Sequence, residues 1–386
     1  MPHHFAPALS TTPTADNTIR PADGSPDHDR HAGHPELPRN VRPDHTVRFA
    51  PSPIHPRRAY GELLALLLVT TWNSLPLDRI PGLPWDSEVV SDTALAGQLA
   101  MAVGVFFWLA RLVIIRTPRR MSTGRRWGLR LGATAVGIAA VAGAVPVDGV
   151  LPYPRAGAVA YAGALVWLTL EVCLRHGITP TRLGLRPVWP KARTEQKRAV
   201  KVGGQALIAV LIAGWGSGIL TLLMQNADLP LVPSVSQQDA LGITSLGDAA
   251  TSMFWVLVVE DLVLVGAVVA LLSAARRPAW EMYAVTCVAV VVVHAYMGLP
   301  ALLFLPYAWL RVRIYRRHGL LVPLIAAHFF YDLASIIGWF FTFWQVAIPV
   351  LWGTFLYLIA DEIYSRGRGL LDRRSPSDAP EKRATR

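Results

Sequence analysis

The chain has 386 residues, of which 52% are hydrophobic and 16% charged, and its formal net charge is +11. That balance excludes an ordinary soluble globular protein and fits a chain that lies largely within a bilayer. The two cysteines, Cys173 and Cys287, fall in separate apolar segments without C-x-x-C spacing, which excludes a disulfide framework and leaves them as buried thiols.

In chain order, residues 1–58 come first, rich in Pro, His, Asp, Arg and Thr and poor in apolar side chains, so they are expected to form a disordered cytoplasmic tail. Its histidines, His3, His4, His28, His31 and His34, read as part of a solvated low-complexity stretch rather than a metal site. No apolar h-region lies near Met1, so no cleaved signal peptide is expected. Apolar segments then recur at about 60–77, 93–115, 131–148, 156–174, 202–223, 251–275, 279–298, 300–314, 319–341 and 343–362. Each approaches the roughly 20 residues a helix needs to cross about 30 Å of hydrocarbon, although those at 60 and 300 are short, giving eight to ten crossings. Long uninterrupted apolar runs indicate helices rather than barrel strands, so the predicted fold is an all-α polytopic transmembrane bundle. Residues 59–178 read as a scaffold of transmembrane helices, whose Gly and Ala content in "LGATAVGIAAVAGAV" suits close helix packing. Residues 179–364 read as the functional core and 365–386 as a basic cytoplasmic tail, and no internal repeat of 20 to 50 residues is visible.

The basic residues are concentrated in particular connections, at 116–130, 175–201, 276–277, 311–317 and from 366 onward, whereas 77–92 and 226–248 carry few. This alternation is the positive-inside pattern. It explains the charge by topology, predicts a multi-pass plasma-membrane protein with both termini cytoplasmic, makes the lipid bilayer its first partner, and leaves no role for nucleic acid. Trp72, Trp215, Trp280 and Tyr357 lie near predicted span ends and are expected as interfacial anchors. Glu171 and Arg175, at i and i+4, are expected to form a local ion pair.

Ionisable groups inside the spans are the informative ones, because a charge in hydrocarbon costs at least about 2.5 to 3.5 kcal/mol and so faces a partner or a wet cavity. Glu260 and Asp261 lie in one span, His294 in the next, and His328 with Asp332 two spans later. Their placement on neighbouring helices predicts one shared cavity. His328 and Asp332 are one turn apart on the same face, so Asp332 can orient or charge-stabilise the imidazole. Glu260 and Asp261 diverge by about 100° on an α-helix, so if one faces the cavity the other is expected to point elsewhere.

In this order and spacing the residues resemble the CAAX protease and bacteriocin-processing (CPBP, or Abi) family of integral-membrane proteins. The family's signature is an acid pair followed by an Arg, a His one helix later, and a final H-x-x-x-N/D. Here "EDLVLVG" at 260–266 is similar to the first motif, "VVVVH" at 290–294 to the second and "HFFYD" at 328–332 to the third. The basic turn and apolar rise in "YRRHGLLVPLIAAH", and "RLGLRP" at 182–187, also resemble the family's approach to its core. The resemblance, over about 180–360, implies an intramembrane endopeptidase acting on a membrane-associated protein or peptide through a glutamate-activated water, with no cofactor. Glu260 would take the water's proton, His294 would position that water, and His328, held by Asp332, would face the carbonyl oxygen.

Two positions depart from the signature: Asp261 stands for the second Glu and Val265 for the Arg. Valine cannot pair with a carboxylate, so the acid beside it is expected to be unpaired and costly to bury. Asp332 in place of Asn is a milder change, though an ionised Asp cannot donate to an oxyanion. The departures leave room for a catalytically inactive scaffold or immunity protein of the same family. A transporter or proton relay would use the same buried groups. Zinc held by Glu260, His294 and His328 is chemically conceivable but lacks an H-E-x-x-H companion and ranks below activated water.

Overall fold

Apolar segments of this length have no water with which to hydrogen-bond, so each closes its backbone bonds internally and becomes a helix. The computed structural model describes residues 54–74, 88–117, 121–144, 154–185 and 192–340, apart from several positions between 228 and 242, together with 349, 352 and 353. Among them every regular element is helical: α1 (Pro56–Ser74), α2 (Glu88–Arg116), α3 (Thr123–Gly143), α4 (Pro154–Arg175), α5 (Arg193–Asn226), the single turn α6 (Gln237–Ala240), α7 (Leu246–Val256), α8 (Val268–Ala274), α9 (Ala279–Val293), α10 (Phe304–His318) and α11 (Val322–Phe340). The protein is an all-α, membrane-embedded bundle.

Among the described residues, four helices are long and apolar enough to cross a bilayer: 92–116, 157–175, 193–226 and the continuous rod Leu246–Ala274; Ala279–Val293 and Val322–Gly338 are apolar but shorter. The other expected crossings fall on helices that carry more charge. α3 begins at Thr123, eight residues before the predicted span, and takes in Arg125, Arg126 and Arg130. α10 carries Arg311, Arg313, Arg316 and Arg317. The tails, most of the segment at 343–362 and Tyr357 lie outside the described residues, as does the unit Met1–Asp44; all described residues belong to the unit His45–Arg386.

Two layers of packing support the site. α2, α3 and α4 pack on one another, with α4 also against α7 and the rod that continues it, while α5 packs against α10 and α11. The small residues in α3 serve the approach expected of them. A Cβ on Gly143 would strike the backbone of Gly157 in α4, and one on Gly157 would strike Gly143 in return, so the two helices meet backbone to backbone.

Polar residues at the basic end join helices as well as pairing locally. Glu171 turns toward α2, where Arg116 Nε lies 2.6 Å from Oε2 and Nη2 donates to Oε1 at 2.8 Å, and Trp167 Nε1 donates to Oε1 at 3.0 Å. Arg175 lies 3.4 Å from Glu62 of α1. The expected pairing of Glu171 with Arg175 gives way because the buried Glu171 gains the Arg116 cation together with donors from Arg116 and Trp167 to Oε1. Buried Glu281 at the start of α9 likewise accepts from Arg277 Nε at 2.8 Å and from Tyr60 of α1. Trp280 and Trp215 are exposed, as lipid-facing anchors should be, while Cys173 and Cys287 are free thiols.

Two irregularities in the core position the functional side chains. Between α7 and α8 the rod is π-helical over Leu257–Ala267, a wide turn of the kind that occurs at functional sites. After α9 the chain leaves the helix at His294 and passes through 3₁₀ turns at Ala295–Met297 and Leu299–Leu303 before α10 begins. Gly298, at φ 64°, and Pro300 explain why the spans predicted at 279–298 and 300–314 are displaced: neither residue continues an α-helix.

Candidate functional site

The π-helical stretch carries both acids. Thr286 of α9 donates to the Leu264 carbonyl at 2.8 Å, fastening the wide turn to its neighbour. A π-helix has more residues per turn than an α-helix, so successive side chains separate by less than the α-helical angle. Glu260 and Asp261 both come near His328 of α11, at different nitrogens of its ring. Its Nε2 lies 4.0 Å from Glu260 Oε2 and its Nδ1 3.3 Å from Asp261 Oδ2. Glu260 lines the cavity while Asp261 does not, so the two acids diverge as expected, although both come within reach of the same imidazole.

His294 ends α9, and that helix terminus fixes its tautomer. Nδ1 donates to the Val290 carbonyl at 2.8 Å, which leaves Nε2 as a bare acceptor facing Glu260 Oε1 at 3.5 Å. The ring stacks on Phe304, with centroids 3.9 Å apart, and is fixed in orientation by that contact. Glu260, Asp261, His294 and His328 are all buried, and Glu260 Oε2 has no hydrogen-bond partner.

Asp261 is not unpaired. Arg311, reaching in from α10, forms a buried ion pair with it, and Arg311 Nη1 also lies 3.1 Å from His328 Nδ1. Val265 is packed in the apolar core, and the cation expected at its position comes from another helix. Arg311 was read among the basic residues of a cytoplasmic connection, which the structure corrects: only 2% of it is exposed. Tyr307 and Tyr315, one turn before and after it, are also buried, so the three form an inward stripe on α10. The guanidinium lies over the Tyr307 ring, 5.0 Å from its centroid, and donates to the Tyr307 hydroxyl. Tyr315 donates to the Leu183 carbonyl at 3.0 Å, tying α10 to the "RLGLRP" segment.

His328 Nδ1 cannot both accept from Arg311 and donate to Asp261. With the shorter contact as the hydrogen bond, Nδ1 accepts from Arg311 and the proton resides on Nε2, which then points away from the ion pair. Asp332 Oδ2 lies 3.7 Å from that nitrogen, an electrostatic contact rather than a hydrogen bond. The hold on the ring therefore comes from Arg311, itself fixed by Asp261, on the other side.

A cavity of about 240 Å³ opens beside these groups, lined by Glu260, His294, His328 and Asp332 together with Tyr307 and Tyr331. Chemically it offers an unpaired carboxylate oxygen, one imidazole acceptor and one imidazole N–H, facing a space able to hold several waters or a peptide unit. Among the described residues no three His, Cys, Asp or Glu side chains converge as metal ligands, and the trio Glu260, His294 and His328 does not form such a group. Comparison with protein-family models, with curated proteins and with solved structures gave no match. The family resemblance rests on the three motifs.

Proposed function

We propose that the chain is an intramembrane endopeptidase of the CPBP type, hydrolysing a peptide bond of a membrane-associated protein with a water activated by Glu260. The observation that carries this reading is the unpaired Glu260 Oε2, buried beside a cavity that also receives the bare Nε2 of His294 and the Nε2 of His328. A water that donates to both Glu260 and His294 keeps a lone pair for the substrate carbonyl carbon. As that bond forms, the water's proton passes to Glu260 and the carbonyl oxygen becomes an oxyanion facing His328 Nε2–H. The C–N bond then breaks as Glu260 returns the proton to the leaving nitrogen, giving a carboxylic acid and an amine. Arg311 and Asp261 touch no reacting atom in this scheme and hold the His328 ring.

The reading places the protein in the plasma membrane with both termini cytoplasmic, on the positive-inside pattern. A catalytically inactive scaffold is the alternative that Val265 raises; Arg311, pairing with Asp261 from another helix, supports the active reading. The test is cleavage of a membrane-tethered reporter peptide by the wild-type chain and by Glu260→Gln. The variant is isosteric and should reach the wild-type membrane level while losing cleavage by about 10²-fold or more. Equal cleavage by the two forms would overturn the assignment of Glu260 as base.

A further inference from the structure

The cavity has a direction. α7 runs from Leu246 toward the turn at Arg276 and Arg277, so Ser252, which lines the cavity, lies roughly 12 Å from Glu260 on the side away from those arginines. α11 runs the opposite way, starting just after the basic end of α10, and Ser335 lies roughly 10 Å beyond His328 toward that same far side. Gln238 and Leu241, in the connection between α5 and α7, line the outer part. The basic termini meet at the opposite end of the bundle, where Arg198 of α5 donates to the His318 carbonyl of α10 at 2.6 Å. The cavity therefore opens at the end of the bundle remote from its basic loops, along the connection that carries few cations.

We infer that the site is reached from the non-cytoplasmic face of the membrane, and that its substrate class is an internal polypeptide segment exposed on that face next to a membrane anchor. The substrate half of this inference rests on the peptidase reading; the side of access does not. The positive-inside pattern assigns the remote end to the non-cytoplasmic side. The lining sets the substrate chemistry: aromatic rings of Trp255, Tyr296 and Phe304 accommodate apolar side chains, and Glu260 and Asp332 are the acids. No Lys or Arg lines the cavity among the described residues, because Arg311 is committed to Asp261 behind the wall. A free terminal carboxylate would find no cation there, whereas a peptide bond within a chain brings no charge to be neutralised.

The test is thiol accessibility in the full-length chain. Ser252→Cys and Ser335→Cys are made singly with Cys287→Ser, leaving the fully buried Cys173, and Lys197→Cys marks the basic end. Right-side-out and inverted membrane vesicles are treated with a charged, membrane-impermeant methanethiosulfonate reagent. Both cavity cysteines should label in right-side-out vesicles, and Lys197→Cys only after inversion. Labelling of the cavity cysteines only in inverted vesicles, together with Lys197→Cys, would overturn the proposal. So would their failure to label in either orientation while Lys197→Cys labels. Labelling is read without turnover, so a negative result for Glu260→Gln leaves it standing. A second arm places one cleavable sequence on either flank of a single-span reporter. Cleavage at the non-cytoplasmic flank alone is expected, and cleavage at the cytoplasmic flank alone would overturn the substrate class.

Discussion

Arg311→Met should leave little folded protein in the membrane, and what remains should unfold at a clearly lower temperature in detergent. The substitution keeps most of the side-chain volume but strips the cation from Asp261, which is fully buried. Breaking one side of a buried pair costs about 3–5 kcal/mol, a large share of the stability of a typical domain. The informative control removes both charges. Asp261→Leu combined with Arg311→Met leaves no uncompensated ion and should restore the membrane level and much of the unfolding temperature. Recovery of level without recovery of cleavage would separate the structural role of the pair from its hold on His328. Val265→Arg in the otherwise unchanged chain offers a converse check: it forces a second guanidinium into a packed core and should be destabilising. A stabilising effect would mean that Asp261 lacks the cation assigned to it.

His328→Ala should lower the turnover of the proposed hydrolysis by about 10²- to 10³-fold while changing KM little, as expected for a donor that strengthens toward a developing oxyanion. Asp332→Asn should behave oppositely. Asp332 sits 3.7 Å from His328 Nε2, too far to hold the ring, and an amide adds a donor where a carboxylate has none. Turnover at or above wild type is the expected result, read from single-turnover cleavage of the same reporter. A loss as deep as that of His328→Ala would show instead that Asp332 orients the histidine after all.

The sequence revealed the helical bundle because bilayer thickness imposes a length on apolar runs that no soluble fold imitates. Glu260, His294, His328 and Asp332 were legible for a related reason: an ionisable residue in such a run has few places to go. Arg311 was hidden because it stands in a stretch with three other arginines, where topology alone explains positive charge. The signal that distinguishes it is local. Tyr307, Arg311 and Tyr315 recur every four residues on the face that also carries Ala308 and Val312, whereas Arg313 and Arg317 fall off that stripe. The irregular turn that carries Glu260 and Asp261 had no such signal. It is π-helical, which "LVVEDLVLVGA", apolar apart from its two acids, does not announce. The end of α9 was partly readable from Gly298 and Pro300, two residues that punctuate any helix.

The wide turn at Leu257–Ala267 has one more implication. A π-helical stretch corresponds to extra chain accommodated in a rod whose two ends are already anchored, and it is less favourable than regular α-helix. Shortening this rod by one residue would let the ladder relax toward the regular form, a gain in local stability. It would also rotate one acid relative to the other, so that Glu260 could no longer face the cavity while Asp261 keeps its ion pair with Arg311. The rod is held slack so that one of two neighbouring carboxylates stays open and the other stays neutralised, and a tighter fold would be a chemically poorer one.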